Sequence, residues 1–265
     1  MCRLAAYLGG PETTLSSLVL EPEHSLLVQS YAPAEMLSGV VNADGFGVGW
    51  YVPWSGEEPA VYRTEKPLWA DRNFAGIAPR IRSRSILAAV RSATPGLPVE
   101  ESGVPPFSSG PYAFVHNGAI PNFRHTAMRP LRDSLSDESH AGLLGATDSE
   151  TIFAVLLDRL NETSGDLAEA LVQTTQFVLK VCEDLGVYAS LNLALTDGER
   201  RAFTRCSSEG PGNSLYFMED GENFPGAVVV ASERLDGDNG WHVVPEDHLL
   251  LADGKDGAQL RPLRP

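Results

Sequence analysis

A cysteine directly after the initiator methionine is the first residue of this chain that could do chemistry. Removal of Met1 would make Cys2 the N-terminus and expose its α-amino group, a group whose pKa in model peptides is about 7.7–8.0. One residue would supply both a nucleophilic thiol and a base that accepts the thiol proton. Such a reaction needs an oxyanion hole and a substrate-binding site elsewhere in the sequence.

The tripeptide HNG at 116–118 is a candidate for the oxyanion hole. An Asn-Gly pair after a strand is by default a hairpin turn, and we expect it to break the strand. The functional alternative is that the Asn117 side-chain amide and the Gly118 backbone N–H both point at one developing negative oxygen. The neighbouring His116 also has two interpretations. It lies beside this candidate site, but it could equally be a packing residue.

Two charged residues could hold a substrate. Arg91 follows an apolar run, and a cation at the end of a buried strand needs an anionic partner. That partner is either a structural carboxylate or a substrate carboxylate, for which a planar guanidinium is well shaped. Asp148 is predicted just inside a helix N-terminus, where the helix dipole favours a carboxylate. A substrate ammonium would give Asp148 an additional role.

The remaining cysteines and the histidines predict no metal site. The chain has three cysteines, of which Cys182 lies on the apolar face of a predicted helix and Cys206 at the end of a predicted strand. We interpret both as structural. An odd cysteine count argues against a disulfide framework, so we expect a reducing cytosol as the compartment. The histidines show no metal-ligand spacing, and we expect neither a metal nor an organic cofactor.

The bulk properties restrict the partners. The 265 residues carry a formal net charge of −15, which makes nucleic acid and anionic membrane surfaces poor partners. A small zwitterion in a locally basic pocket remains compatible with that charge. No stretch is long and apolar enough to span a bilayer, and the N-terminus does not have the pattern of a signal peptide.

The elements that position these residues are mostly strands. Apolar runs predict strands at CRLAAYLG, after the glycine-rich turn NADGFG, at AVYRT, at ILAAV ending at Arg91, and at YAFV. We expect an irregular surface loop over 121–146. The capping-box pattern TDSE at 147–150 begins a helix, and a second long helix follows at 167–186. Six further strand-like runs complete the chain. This pattern predicts an α+β layered protein and a single domain over 1–265.

Cys2, RSATPG (91–96), HNG (116–118) and TDSE (147–150), in that order, resemble the class II glutamine amidotransferase domain of the N-terminal nucleophile hydrolases. The resemblance runs from Cys2 to about residue 235. It implies a four-layer αββα sandwich, with two antiparallel sheets between helical layers. It also implies Cys2 as nucleophile and base, Asn117 and Gly118 as the oxyanion hole, and Arg91, Thr94 and Asp148 as substrate-binding residues.

Within that family, MCRLAAYLG, NADGFGVGWY, PLWAD, AAVRSATPG and VVVASE are similar to the stand-alone amidohydrolases of ergothioneine biosynthesis. This implies release of glutamate from the small molecule γ-glutamyl-hercynylcysteine S-oxide. Glutamine-dependent synthases of the class usually have Trp and His in the arginine motif, where this chain has Ser92 and Pro95. The alternatives are a glutaminase-type subunit that supplies ammonia to a separate synthase, and a hydrolase of another γ-glutamyl metabolite.

Overall fold

The computed structural model describes residues 2–37, 39–93, 99–253 and 257–263. Its strands, in chain order, are β1 (Arg3–Thr14), β2 (Phe46–Trp50), β3 (Ala60–Thr64), β4 (Arg82–Val90), β5 (Phe107–Ser109), β6 (Tyr112–Ala119), β7 (Ser190–Thr196), β8 (Arg200–Arg205), β9 (Tyr216–Gly221), β10 (Phe224–Ala231), β11 (His242–Val243), β12 (His248–Asp253) and β13 (Gly257–Pro262).

The α-helices are α1 (Leu15–Val19), α2 (Leu26–Tyr31), α3 (Arg72–Ile77), α4 (Met128–Asp133), α5 (Asp137–Ala141), α6 (Asp148–Glu162) and α7 (Leu167–Asp184). Short 3-10 helices occupy Leu68–Ala70, Ala78–Arg80, Glu101–Gly103 and Phe123–His125. None of the helices in the described part of the chain has the length and apolar character needed to cross a bilayer.

Two antiparallel sheets form the centre of the protein. A seven-stranded sheet has the order β11-β9-β10-β1-β4-β2-β3, and a six-stranded sheet has the order β13-β12-β8-β7-β6-β5. Three apolar clusters separate the layers. One lies between the sheets, one packs the six-stranded sheet against α6 and α7, and one packs the seven-stranded sheet against α1, α2 and α3. The predicted αββα architecture is therefore confirmed.

Side chains alternate between the two faces of β1, and this alternation decides which residues reach the space between the sheets. Leu4, Ala6 and Leu8 belong to the inter-sheet cluster, whereas Ala5 and Tyr7 belong to the cluster on the helical side. Every one of these five side chains is at least nine-tenths buried. The strand is an almost continuous apolar run because both of its faces are covered.

Two predictions of local structure were wrong. Asn117 and Gly118 do not break their strand, because β6 continues to Ala119 and pairs with β7 along that length. The stretch 121–146 is not an irregular loop, because it contains α4, α5 and a 3-10 helix. Phe123 and Leu131 insert into the core beneath α6 and α7, and that tertiary contact orders a segment whose sequence is mostly polar.

Candidate active site

Cys2 lies at the edge of the space between the sheets. Arg3 pairs with Val90 of β4, so Cys2 stands one residue beyond that pair, next to the end of β4. The alternation along β1 puts Cys2 on the same face as Leu4, which belongs to the inter-sheet cluster. Cys2 is partly exposed and forms no disulfide. Its position would therefore allow a small molecule to reach the thiol. Met1 lies outside the described residues.

Arg91 directly follows β4, and continuing the alternation of that strand puts it on the inter-sheet face with Leu87 and Ala89. Its side chain is only 4% exposed, and its Nη1 is buried without a hydrogen-bond partner among the described residues. The guanidinium lies against Gly103, where an added Cβ would be 2.8 Å from Nη2. The ion pairs of the described chain do not include Arg91. A buried, unpaired guanidinium of this kind is a favourable site for a ligand carboxylate.

The turn before β2 packs against the end of β4. Asp44 N–H donates to Arg91 O at 3.0 Å, and the Asp44 carboxylate accepts from Ala93 N–H at 2.8 Å. Gly45 has a φ of +117°, a backbone conformation that residues with a side chain rarely adopt. The glycine-rich turn therefore fixes the backbone around Arg91. Thr94, which the resemblance implies as a substrate-binding residue, lies outside the described residues.

The backbone direction of β6 leaves the Gly118 N–H available. Gly118 stands opposite Leu191 of β7, and the Leu191 N–H donates to Cys206 O on the other side of β7. Because alternate residues of an antiparallel strand bond to opposite neighbours, the Gly118 N–H points away from β7. On that edge β5 covers β6 only as far as Phe114. No described strand therefore accepts the Gly118 N–H.

Close packing explains why residue 118 has no side chain. A Cβ at Gly118 would be 1.8 Å from Ser190 O and 2.3 Å from His116 Nε2. His116 is buried and forms hydrogen bonds through both ring nitrogens, to Ser190 O at 2.9 Å and to Ser149 Oγ at 3.0 Å. The histidine thus links β6, β7 and the start of α6, which supports its interpretation as a packing residue.

The Asn117 side chain is held in a buried network. Its Nδ2 donates to Ser232 Oγ at 2.9 Å, and its Oδ1 accepts from Asn213 Nδ2 at 3.2 Å. Ser232 Oγ also accepts from the Leu4 N–H at 2.9 Å. This serine therefore connects Asn117 to β1, two residues after Cys2. One N–H of the Asn117 amide is used by Ser232, and the second remains for a ligand oxygen.

Asp148 is the first residue of α6, as predicted. Thr147 caps the helix by accepting from Glu150 N–H at 3.1 Å. The capping box is incomplete, because the Glu150 carboxylate bonds to the Leu144 and Gly145 N–H groups instead of returning to Thr147. The Asp148 carboxylate lies on the same edge of β6 as the Gly118 N–H, because it accepts from Ile120 N–H at 2.9 Å, two residues further along.

Arg91 and Thr147, the residue before Asp148, lie against the same glycine. The Cβ position of Gly103 lies 2.8 Å from Arg91 Nη2 and 3.2 Å from Thr147 Cγ2, so both side chains flank this glycine. Asp148 is 7% exposed, and each of its oxygens accepts one backbone N–H, from Ile120 and from Ser149. Oδ1 also accepts from Ser149 Oγ at 3.3 Å, so it is the second lone pair of Oδ2 that can accept from a ligand ammonium.

The structure thus connects Asn117 to β1 two residues after Cys2, brings Arg91 close to the start of α6, and joins Asp148 to β6 two residues after Gly118. A thiol, oxyanion donors, a guanidinium and a carboxylate together suit acyl transfer from a small amino-acid amide. Among the described residues, no group of His, Cys, Asp and Glu is arranged to hold a metal ion. The two other cysteines are buried in the core between the six-stranded sheet and helices α6 and α7, and burial raises the pKa of the Cys182 thiol to about 11.

The sequence analysis did not assign a role to Arg3, Ser232 or Glu233, which lie near Cys2 and Asn117 in the structure. Ser232 holds Asn117, and Glu233 forms a buried ion pair with Arg3 at 2.7 Å. The only local signal was a pair of polar residues directly after the apolar run VVVA. Nothing in the sequence showed that this run lies beside the N-terminal strand.

The fold and the site define a class of protein. A family model described as glutamine amidotransferases class-II matches residues 23–220, and the chain belongs to this family. A glutamine aminotransferase class-II domain protein from Silicibacter pomeroyi superimposes with a TM-score of 0.71 at 23% identity, covering the whole of both chains. That similarity confirms the fold.

Two curated relatives are similar over nearly their full lengths. The chain is 36% identical to the gamma-glutamyl-hercynylcysteine sulfoxide hydrolase of Mycolicibacterium smegmatis, covering 94% of this chain and 95% of the relative. It is 38% identical to the protein of the same name from Mycobacterium tuberculosis, covering 94% and 92%. A probable glutamine amidotransferase of Saccharomyces cerevisiae is 29% identical, covering 94% and 81%. The expectation of an enzyme that hydrolyses an amide C–N bond is confirmed by these relatives.

Proposed function

We propose that this protein hydrolyses the γ-glutamyl amide bond of γ-glutamyl-hercynylcysteine S-oxide, releasing glutamate and hercynylcysteine S-oxide. The observation that carries the proposal is the 36–38% identity, over 94% of the chain, to two hydrolases named for this substrate. The candidate site supports it independently, because its groups match the chemistry of a γ-glutamyl amide.

The glutamyl end of the substrate is a zwitterion, and the site has a complementary group for each of its charges. The Arg91 guanidinium binds the α-carboxylate through its unpartnered Nη1. The Asp148 carboxylate binds the α-ammonium. These two contacts position the γ-carbonyl between the sheets, near Cys2. They also reconcile substrate binding with the strongly acidic composition of the chain.

The reaction proceeds in two steps. After removal of Met1, the Cys2 α-amine accepts the thiol proton and the sulfur attacks the γ-carbonyl carbon. Asn117 and Gly118 donate hydrogen bonds to the oxyanion. The C–N bond then breaks, the leaving amine takes the proton from the Cys2 ammonium, and a γ-glutamyl thioester remains. Water hydrolyses the thioester, which yields glutamate and regenerates the thiol.

The experiment measures glutamate release by NMR, with γ-glutamyl-hercynylcysteine S-oxide and glutamine supplied in parallel. Fast release from the S-oxide and little from glutamine is the expected result. A preference for glutamine would instead indicate an ammonia-supplying subunit, and release from neither by a chain that begins at Cys2 would reject the substrate. Cys2→Ala should abolish turnover while leaving the fold intact, and normal turnover in that variant would reject the nucleophile.

A further inference from the structure

The residue after the nucleophile is an arginine with no contact to solvent. Arg3 is 0% exposed, its Nε donates to Glu233 Oε1 at 2.7 Å, and its Nη1 donates to the backbone carbonyl of Cys2 at 3.0 Å. Burying a guanidinium is costly unless it is paired and hydrogen-bonded. The contacts with Glu233 and with Cys2 O offset this cost at Nε and Nη1, whereas Nη2 is buried without a hydrogen-bond partner among the described residues.

Glu233 is the centre of this buried arrangement. Its carboxylate accepts from Arg3 and from the Glu35 N–H through Oε1, and from His24 and the Ala34 N–H through Oε2. The His24 contact measures 2.6 Å, and the Ala34 contact measures 2.8 Å. Burial by itself raises the pKa of Glu233, but the bonds from His24, Ala34, Arg3 and Glu35 lower it below its usual value. The carboxylate is thus held as an anion with four fixed donors.

Arg3 and Cys2 lie on opposite faces of the seven-stranded sheet. Alternation along β1 puts Arg3 on the helical side of the sheet with Ala5 and Tyr7, and Cys2 on the inter-sheet side with Leu4. Arg3 therefore does not contact a substrate that lies between the sheets. Its contact with the Cys2 carbonyl fixes the peptide plane that joins residues 2 and 3.

We propose that Arg3 and Glu233 are positioning residues that orient the Cys2 α-amine and thiol by holding the Cys2 carbonyl. In an N-terminal residue, the only backbone connection is to the next peptide plane. Once that plane is fixed, rotation about a single Cα–C bond sets where the amine lies. The amine is the base in the proposed mechanism. If the peptide plane between residues 2 and 3 is not held, both proton transfer from the thiol and attack of the sulfur become slower. This inference rests on the assignment of Cys2 in the proposed function.

The test compares two buried arginines. Arg3→Lys keeps a cation for Glu233 but loses the planar fork that reaches both Glu233 and Cys2 O. Arg201→Lys is the matched control. Arg201 is 2% exposed and donates to Ile86 O at 2.7 Å and Ser85 Oγ at 2.8 Å, toward the opposite end of β4 from Arg91. Both variants should lose thermal stability, but only Arg3→Lys should change the chemistry.

The expected kinetic result is a split between kcat and KM. In Arg3→Lys, kcat for glutamate release should fall about tenfold or more, with KM changed by less than about twofold, because the substrate contacts are intact and the reacting groups are misplaced. In Arg201→Lys both constants should stay within about twofold of wild type. Equal kcat losses in the two variants would overturn the inference, since they would reflect general destabilisation.

A second measurement separates this inference from the choice of substrate. The glutamine analogue 6-diazo-5-oxo-L-norleucine alkylates a cysteine nucleophile, and mass spectrometry gives the labelling rate of Cys2 without any leaving group. Labelling of Arg3→Lys should be about tenfold slower than that of wild type. If the wild type hydrolyses no S-oxide but is labelled at Cys2, the proposed substrate is rejected. The labelling rates of wild type and Arg3→Lys then still test whether Arg3 positions Cys2. A wild-type chain that does not label at Cys2 overturns both.

A milder variant covers the case in which Arg3→Lys does not fold. His24 is 25% exposed, and His24→Asn withdraws one donor from Glu233 while leaving Arg3 in place. Its kcat and labelling rate should each fall about threefold, by a partial loosening of the same plane. The proposal is overturned if Arg3→Lys does not fold and a folded His24→Asn protein keeps the wild-type kcat and labelling rate. Arg3 and Glu233 would then have a purely structural role.

Discussion

Replacing Gly118 with alanine tests the assignment of the oxyanion hole most directly. The added Cβ would lie 1.8 Å from Ser190 O and 2.3 Å from His116 Nε2, whereas real Cβ contacts below 3.0 Å are essentially absent from proteins. The closest neighbour is backbone, which cannot rotate away. The strand must therefore shift by about 1 Å or more at the residue whose N–H we assign to the oxyanion hole.

Two costs follow from that shift. A misplacement of about 1 Å can cost about 100-fold in rate, and loss of one oxyanion donor costs about 10²–10³ in kcat. Overpacking of this kind also lowers the free energy of unfolding by about 1–3 kcal/mol. We therefore expect a Gly118→Ala protein that folds with a lower Tm and releases glutamate at least about 100-fold more slowly than wild type.

The assay combines thermal unfolding with steady-state glutamate release. Gly49→Ala is the control, because its added Cβ would be no closer than 3.2 Å to any neighbouring atom, the Cγ of Pro106. That variant should keep kcat within about twofold of wild type. A Gly118→Ala protein with a wild-type kcat would refute the reasoning, since it would show that the position of this N–H does not matter to the reaction.

Three further changes test other contacts. Asn117→Ala should lower kcat by about 10²–10³, the usual effect of losing one oxyanion donor, and a wild-type rate would remove this side chain from the oxyanion hole. Arg91→Lys keeps the charge but loses the fork, so KM for the γ-glutamyl substrate should rise about tenfold or more, whereas unchanged kinetics would place Arg91 outside the site. Asp71→Ala removes the cap of α3, where the carboxylate accepts from Asn73 and Phe74 N–H, and should lower the free energy of unfolding at pH 7 by about 0.5–2 kcal/mol. Burial raises the pKa of Asp71, but the hydrogen bonds from Phe74, Tyr62 and Asn73 bring that pKa below 3.8. The contribution of Asp71 to the free energy of unfolding is therefore complete above that pH and is lost on acidification. In denaturant unfolding from pH 3 to 7, the difference in free energy of unfolding between Asp71→Ala and wild type should narrow below about pH 3.8.

Much of the fold was predictable because its signals are local. The apolar run that begins at Cys2 predicted β1, and the 3.6-residue periodicity after TDSE predicted α6 and α7. The strands on either side of these helices were predicted in the same way. Each signal depends on neighbouring residues in the chain, so no knowledge of the tertiary structure was needed.

The errors arose where distant residues decide the local structure. Asn117-Gly118 has the composition of a turn, but the strand continues because β7 pairs with it and Ser190 O fills the space beside Gly118. The polar stretch 121–146 forms short helices because two of its apolar residues, Phe123 and Leu131, are buried under α6 and α7. In both cases local propensity predicted irregular structure, whereas tertiary packing produced a strand or helices, because packing outweighs propensity.

The sequence by itself determined the candidate reactive groups of this protein: a cysteine that would become N-terminal on removal of Met1, an arginine after an apolar strand, an Asn-Gly pair and an acidic residue at a helix start. Only the tertiary structure decided which face each side chain occupies and which distant residues hold it. Ser232 and Glu233 lie about 230 residues from Cys2 along the chain, and they contact Leu4 and Arg3, just after it, because β10 pairs with β1. Strand pairing at that separation has no local sequence signature. It is fixed by burial of the whole seven-stranded sheet between the core under its helices and the core between the two sheets.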